Sequence, residues 1–248
     1  MSPFFRRFYM AQMKLSDRMM QLRNESQIAG LQRFFKTGPG QYAEGDLFLG
    51  IKVPITRKVV SEMWRTTDWN ELEACVNSRY HEVRLAALLV LVQQFKHSKD
   101  ESFRQQCVNF YLNHPRSVNN WDLVDLSCYE LLGVWALDHD RTFLYDLAVK
   151  GPTLWEKRIG LVSTMQLLRH HQLDDTYAIA GLYLQQQPLH DLLQKALGWL
   201  LREAGKRDGD RLRNWLNLHY DELPRTSLRY AIERFDADER RSWLARKR

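Results

Sequence analysis

Apolar residues recur at the spacing of a helix in a series of paired segments along this chain. Longer segments such as HEVRLAALLVLVQQFK and LWEKRIGLVSTMQLLRHH follow shorter amphipathic ones such as DWNELEACVN and ESFRQQCVNFYLN. Short polar breaks separate the members of each pair, and the alternating β-branched runs that would indicate strands are almost absent. The chain is therefore predicted to be a succession of helical hairpins.

A spacing of 37 residues relates the longer segments to one another. Four marker residues follow this spacing: Arg84, Trp121, Arg158 and Lys195. Leucine recurs at the fifth position after three of the four markers. A unit of this length with two helices is typical of HEAT repeats, whose end units often depart from the pattern. We therefore predict an all-α fold, an α-solenoid (superhelix) of HEAT-like helical hairpin repeats.

The repeat register also predicts which side chains share a surface. The markers would form one stripe along the stacked second helices, which usually line the concave side of a solenoid. One helical turn further, the same face carries Asp125 and Trp199. Trp121 is then expected near both, in a concave groove that Arg158 and Lys195 make basic. The alternative is that the arginines form ion pairs between repeats and the tryptophans belong to the core.

The composition favours a polyanionic partner and excludes a membrane protein. The chain has a net charge of +6 and eight tryptophans, and basic charge interleaved with flat side chains suits contacts to phosphate and sugar. Its apolar runs are all shorter than the ~18 residues that span a bilayer. The beginning of the chain, MSPFFRRFYMAQMK, lacks the continuous apolar stretch of a signal peptide. A cytoplasmic location is therefore expected.

The sequence offers no pattern for a metal or cofactor site, and none is expected. Cys75, Cys107 and Cys128 are far apart and are expected to be reduced, buried thiols. His170 and His171 are adjacent, so they point to different faces of a helix. The glycine-rich KTGPGQYAEGD lacks the strand and helix that flank a phosphate-binding loop, and it is predicted to be a turn-rich linker.

The stretch NNWDLVDLSCYELLGVW has the apolar spacing of a helix, and it places Asp125 on the face of Trp121. A carboxylate facing DNA repels phosphate, but it is useful where positive charge develops. That happens when an N-glycosidic bond breaks and the deoxyribose becomes an oxocarbenium ion, which carboxylates and indoles both stabilise. Asp125 can also orient the attacking water. Asp122 lies nearer the helix start, about 100° from Trp121 around the axis, and is predicted to serve the helix end.

Five stretches, in order, resemble the DNA alkylation repair family of HEAT-like DNA glycosylases, the AlkD type. They are FFKTGPGQYAEGDLFLGIKVP, NNWDLVD, LWEKRIGLV, QKALGWLLREAGK and ELPRTSLRYAIERF, and they extend over most of the chain. The resemblance predicts a single domain over residues 1–248. No family signal is found in residues 1–30, which are predicted to be an extra N-terminal helical segment.

The resemblance also implies an activity and a set of site residues. Such proteins remove purines alkylated at N3 or N7, for example 3-methyladenine and 7-methylguanine, from duplex DNA, and they leave an abasic site without flipping the base. On the matching positions, Asp125 would be the catalytic carboxylate, Trp121 and Trp199 would contact the lesion-bearing backbone, and Arg158 would contact phosphate. Further candidate DNA-binding residues are Lys157, Lys195, Arg202 and Arg84.

A cationic alkylpurine leaves without a dedicated general acid. We therefore expect a monofunctional, monomeric DNA glycosylase that needs no cofactor and is associated with the nucleoid when it acts. One alternative is a noncatalytic HEAT-repeat protein that binds branched or damaged DNA, which needs the basic face but has no need of Asp125. Another is a protein-interaction scaffold, for which the basic groove is incidental.

Overall fold

The computed structural model describes residues 13–246, which fall into two compact units, one ending at Ser127 and the other beginning at Cys128. Fourteen α-helices and one π-helix make up the regular structure of these residues, which contain no strand beyond an isolated bridge between Leu47 and Tyr80. The predicted all-helical fold of the helical-repeat class is confirmed. The single domain over residues 1–248 stays a prediction.

The first unit is built around one long helix. Its helices are α1 (Leu15–Gln21), α2 (Glu25–Phe35), α3 (Val53–Met63), α4 (Trp69–Val76), α5 (His81–His97), α6 (Glu101–Asn113) and α7 (Trp121–Asp125). Helices α1, α3, α4, α6 and α7 all pack against α5. Because α5 is surrounded, its sequence is apolar on nearly every face and most of its side chains are buried.

The second unit has two central helices. It consists of a π-helix (Tyr129–Gly133) and helices α8 (Thr142–Lys150), α9 (Leu154–Arg169), α10 (Asp174–Leu184), α11 (Asp191–Gly205), α12 (Gly209–Leu218), α13 (Arg225–Ala231) and α14 (Ala237–Ala245). Helix α9 packs against α8, α10, α11 and the π-helix, whereas α11 also packs against α12 and α13. Gly198 allows α13 to approach α11 closely, because a Cβ there would overlap the carbonyl oxygen of Ser227.

The four marker residues all lie near the beginning of a helix. Arg84 is the fourth residue of α5, Arg158 and Lys195 are the fifth residues of α9 and α11, and Trp121 is the first residue of α7. Repeat units of HEAT type stay a prediction, but the 37-residue spacing does connect the beginnings of alternate helices, α5, α7, α9 and α11.

The expectation of one helix through NNWDLVDLSCYELLGVW is wrong. Helix α7 ends at Asp125, a turn follows, and the chain becomes helical again in the π-helix. The hydroxyl of Ser127 donates to the carbonyl oxygen of Leu123 and lies 2.9 Å from the Tyr111 hydroxyl. A serine that binds the preceding turn in this way competes with the regular backbone ladder and favours a break.

The remaining predictions concern the cysteines, the glycine-rich segment, the N-terminal segment and the absence of membrane spans. The three cysteines are buried thiols that form no disulfide, as predicted. The KTGPGQYAEGD segment is a succession of turns and bends, also as predicted. Of the predicted N-terminal helical segment, residues 1–12 lie outside the described residues, and the remainder contains α1 and the start of α2. No helix of the described residues combines the length and hydropathy that crossing a membrane requires.

We expect Gly198→Ala to destabilise the second unit by about 1–3 kcal/mol, because the new methyl group would force α11 and α13 apart. Gly181→Ala is the matched control, since a Cβ at that position of α10 would meet no atom within 4 Å. It should stabilise the protein by about 0.5–1 kcal/mol, the usual advantage of alanine over glycine inside a helix. Urea unfolding of both variants tests this, and equal free energies of unfolding would contradict the close approach.

Candidate functional site

An apolar cavity of about 400 Å³ opens in the first unit, where the end of α2 meets the beginnings of α3, α5 and α7. Its size is in the range of sites that bind small molecules or single residues of a polymer. Most of its lining is aromatic or aliphatic. The charged and titratable groups of the lining are Lys52, His81, Glu82, Asp122 and Asp125.

Trp121 and Asp125 both line this cavity, one helical turn apart, as the repeat register predicts. Both side chains are partly exposed, whereas the three residues between them are buried. The side chain of Asn120 begins α7 by accepting a hydrogen bond from the backbone N–H of Trp121, at 2.8 Å. The indole and the carboxylate are thus placed side by side on an accessible surface.

Aromatic rings hold the indole of Trp121 in place. Phe35 stacks on it with ring centroids 5.3 Å apart, and Phe34 meets it edge-on at 5.7 Å. Phe35 in turn stacks on Phe48 at 5.2 Å. Each such pair contributes about 0.5–1.5 kcal/mol beyond the area it buries. Phe34 is 61% exposed, so a further large aromatic surface is available beside Trp121.

A buried charged network lies beneath the cavity. The two ring nitrogens of His81 contact two carboxylates: Nδ1 lies 3.0 Å from Asp46 Oδ2, and Nε2 lies 2.8 Å from Asp122 Oδ2. Since both nitrogens face acceptors, the ring satisfies both contacts only as an imidazolium, with a proton on each nitrogen. Burial disfavours that charge, but Asp122 and Asp46 outweigh it and raise the pKa of His81 to about 9.

Arg84 completes this network from the same helix. Its Nη2 donates to Asp46 Oδ1 at 2.6 Å and to Asn119 Oδ1 at 2.9 Å, and its other nitrogens donate to the carbonyl oxygens of Ser117 and Ser78. Burial tends to raise the pKa of Asp46, yet hydrogen bonding to His81 and the charge of Arg84 hold it below its usual range. Arg84 is only 5% exposed. This geometry favours the ion-pair alternative for Arg84 over a contact with DNA.

Asp122 has a larger role than the sequence indicates. The predicted contribution to the helix start is present, because Asp122 Oδ1 accepts from the backbone N–H of Leu123 at 2.9 Å. The second oxygen, however, binds His81, and the side chain is almost completely buried. Asp122 therefore connects the beginning of α7 to the beginning of α5.

Glu82 fixes the loop that forms one wall of the cavity. Its carboxylate accepts hydrogen bonds from the backbone N–H groups of Leu49, Gly50 and Ile51 at 2.8–3.0 Å. Gly50 has a φ of 82°, and a Cβ there would overlap the carbonyl oxygen of Asn24, so a glycine is required. The loop, like the network beneath it, depends on a charged residue in the first turn of α5.

Sequence reasoning missed Asp46, His81 and Glu82. A signal was available, because His81 and Glu82 open a helix that is otherwise apolar on nearly every face. Charged residues are rarely buried without partners. Asp46 was hidden in the predicted linker, which does turn as expected but also delivers a carboxylate to the network.

The second unit contains Trp199 and the remaining predicted DNA-binding residues. Trp199 is partly exposed on α11. Arg158 is 5% exposed, and its Nη1 donates to the carbonyl oxygen of Leu192, which connects α9 to α11. Its contact with phosphate stays a prediction.

The other predicted cations of the second unit also have partners there. Lys157 donates to Gln186 Oε1 at 2.9 Å, Lys195 lies 2.7 Å from Asp191, and Arg202 pairs with Glu233. The Lys195 side chain is 41% exposed, so it is accessible to an external phosphate. Within residues 13–246, no cluster of three or more His, Cys, Asp or Glu side chains could hold a metal ion.

Comparisons with known proteins give a matching family and similar solved structures. A family model described as DNA alkylation repair enzyme matches residues 15–235. The expectation that residues 1–30 carry no family signal is therefore wrong from residue 15 onward. Among the curated proteins, no sequence matches the chain.

One of the similar solved structures is a chain from Enterococcus faecalis, described as a predicted DNA alkylation repair enzyme. It has a TM-score of 0.67 and is 18% identical, and the match covers 87% of the present chain and 97% of the other. At this identity the likeness shows that the two chains share a fold.

We expect the network around His81 to make the protein less stable at high pH. The pKa of His81 is raised from 6.5 to about 9, so its contribution is complete below about pH 6.5 and is lost as the pH rises through about 9. The shift in pKa corresponds to about 3 kcal/mol in the free energy of unfolding. Urea unfolding of the wild type and His81→Gln between roughly pH 6 and pH 10 measures this loss of stability. If both proteins lose stability in parallel, the network does not carry this dependence.

Proposed function

The chain belongs to the DNA alkylation repair enzyme family, and we propose that it is a monofunctional DNA glycosylase for cationic N3- and N7-alkylated purines in duplex DNA. Membership of the family implies a role in DNA repair and binding to DNA. The observation that carries the finer proposal is the placement of Asp125 beside Trp121, on an accessible surface lined by aromatic rings.

The chemistry requires stabilisation of a positive charge rather than acid catalysis. When the glycosidic bond breaks, its electron pair goes to the alkylated purine, which becomes neutral, and the deoxyribose becomes an oxocarbenium ion. A carboxylate and an indole face both favour that cation. A water molecule then adds to the sugar and loses a proton, which Asp125 is able to accept. The lesion is proposed to remain stacked, because the carboxylate and the indole must reach the sugar and not the base.

Asp125 is better suited to this role than Asp122. Both oxygens of Asp122 are engaged, one by Leu123 and one by His81, and the side chain is only 3% exposed. A group with that burial does not reach a sugar on a DNA backbone. Asp125 lies on the cavity lining with part of its surface exposed, so it can face the substrate.

The proposed DNA contacts also include residues of the second unit. Trp199 would contact the backbone at the lesion, and Lys157, Lys195 and Arg202 would contact phosphate. Of the predicted phosphate contacts in this unit, Arg158 is the least accessible, because it is only 5% exposed, as Arg84 is in the first unit. Lys195 is the most direct residue to test, because it is exposed and its partner Asp191 lies on the same helix. A phosphate is able to replace such a surface carboxylate at little cost, since exposed ion pairs contribute about 0–1 kcal/mol.

We predict that Asp125→Asn reduces the release of 7-methylguanine and 3-methyladenine from methylated duplex DNA by about 100-fold or more, because a neutral amide does not stabilise the sugar cation. Binding to the same DNA should be unchanged or slightly tighter, since a charge that repels phosphate is removed. Glu62→Gln, which neutralises an exposed acid on α3 outside the cavity lining, is the control and should release base at the wild-type rate.

Undiminished release by Asp125→Asn would refute the catalytic role of this carboxylate. A wild type that binds DNA in a salt-sensitive manner and releases no base would instead be a noncatalytic DNA-binding protein. A wild type that does neither would support a protein-interaction scaffold.

Lys195→Ala should weaken DNA binding and reduce the slope of log Kd against log salt concentration by about 1, the loss of one phosphate contact. Lys150→Ala is a closely matched control. Lys150 also pairs with an aspartate four residues earlier, Asp146, and that distance is likewise 2.7 Å. The control should leave affinity and salt slope unchanged. Equal effects of both substitutions would show that Lys195 acts only through the net charge.

A further inference from the structure

Building on the proposed glycosylase, we propose that His81 is a positioning residue for cleavage of the glycosidic bond. Together with Asp46 and Asp122 it forms a buried network that holds the Trp121 ring and the Asp125 carboxylate at the cavity. None of the three network residues touches the reacting atoms in this proposal. They act through α7 and through the aromatic rings packed beneath Trp121.

The first reason is that α7 cannot hold its own position. It consists of five residues, and a helix this short is not stable without tertiary support. His81 on α5 provides such support, because its Nε2 lies 2.8 Å from Asp122 Oδ2 in the first turn of α7. Asp122 directly follows Trp121 and precedes Asp125 by three residues. A shift of Asp122 therefore moves both.

The second reason is that His81 also supports the aromatic cluster beneath Trp121. Its ring stacks on Phe48 with centroids 4.5 Å apart and is tilted against Phe35 at 4.9 Å. Phe35 then stacks on Trp121 at 5.3 Å. The imidazole thus reaches Trp121 by two routes, through the backbone of α7 and through the ring of Phe35.

The third reason is the charge balance of the network. Two carboxylates, Asp46 and Asp122, are matched by His81 and Arg84, and all four side chains are more than nine-tenths buried. If His81 loses one of its two ring protons, one carboxylate loses its hydrogen-bond donor, and the network of four side chains gains a net negative charge. Such an uncompensated charge is costly in the interior.

The other charged groups around His81 do not replace its proton. Glu82 is adjacent, but its oxygens accept from the backbone amides of Leu49, Gly50 and Ile51. The cavity lining also contains the carboxylate of Asp125 and the ammonium group of Lys52. A neutral His81 donates to only one of Asp46 and Asp122, so keeping both contacts together depends on the charge state of His81.

The experiment compares His81→Gln and Asp122→Asn with Asp175→Asn in the full chain. Asp175 is the matched control, because it is also a buried carboxylate with two side-chain partners, Arg141 and Tyr145, each at 2.8 Å, but it belongs to the second unit. We measure single-turnover release of 7-methylguanine with enzyme in excess, DNA affinity, and urea unfolding. All rates are taken under conditions in which each variant is folded.

For His81→Gln and Asp122→Asn we expect release to be slower by about 10- to 100-fold, the cost of a misplacement of about 1 Å. DNA affinity should change by less than about threefold, so the loss is in the reaction step and not in binding. Asp175→Asn should release base within about twofold of the wild-type rate, although it is destabilised. If the network served only stability, all three folded variants would release base at equal rates.

The pH profile separates positioning from destabilisation. The wild-type and Asp175→Asn rates should fall as the pH rises through about 9, the pKa of His81, and His81→Gln should lack this dependence. Any titration of the DNA is common to all variants and cancels in the comparison. Identical profiles for His81→Gln and the control would overturn the inference.

A measurement without substrate keeps the inference testable if no base is released. The indole N–H resonance of Trp121, assigned through Trp121→Phe, should shift with a midpoint near pH 9 in the wild type and in Asp175→Asn, but not in His81→Gln. Titration of this resonance in a protein that releases no base would refute the glycosylase and leave the positioning of Trp121 intact. A wild type that releases base but shows no titration of Trp121 would refute the positioning role alone.

Discussion

The first unit depends on one buried interaction, the imidazolium of His81 between the carboxylates of Asp46 and Asp122. These three residues come from a turn segment, the beginning of α5 and the beginning of α7, which are far apart in the sequence. A charged group is costly to bury, and this one is stable because both of its donors and the acceptors facing them are satisfied. The aromatic cluster and the cavity are built on top of it.

The two aspartates of α7 illustrate how position divides chemistry between identical side chains. Asp122 points into the protein, where its charge is neutralised by His81. Asp125, almost one turn later, lies on the accessible lining of the cavity, where a carboxylate is available to a substrate. In the proposed glycosylase the first holds the helix and the second acts on the sugar. The two roles are coupled, because a helix of five residues moves as a single body.

Much of the fold could be predicted from the sequence, because it depends on local periodicity. The paired apolar segments predicted the helices, and the 37-residue spacing identified equivalent helix beginnings at Arg84, Arg158 and Lys195. The common face of Trp121 and Asp125 also followed from helical geometry. The break after Asp125 did not, because the Ser127 hydroxyl combines a local hydrogen bond to Leu123 with a tertiary contact to Tyr111, and the tertiary contact is invisible to local periodicity.

The network was beyond sequence reasoning for the same physical reason. Asp46 lies in a segment whose composition indicates only turns, and nothing local shows that its carboxylate reaches His81, 35 residues later. The burial of Arg84 and Arg158 was likewise not visible, since an arginine at a regular spacing suits an ion pair as well as a phosphate. Resemblance to a family identified positions such as Asp125, but it did not indicate what supports them.

The shortness of α7 also bears on how such a site is inherited and transferred. The arrangement of Trp121 and Asp125 is not determined by these two residues themselves, because a segment of five residues does not form a stable helix on its own. Grafting NNWDLVD alone into another helical-repeat protein would transfer the indole and the carboxylate without their arrangement. The smallest portable unit is discontinuous: it includes the Asp46 turn and the first turn of α5 with His81 and Glu82. A substitution at one of these buried positions is therefore expected to disturb the arrangement of Trp121 and Asp125 from beneath the accessible surface.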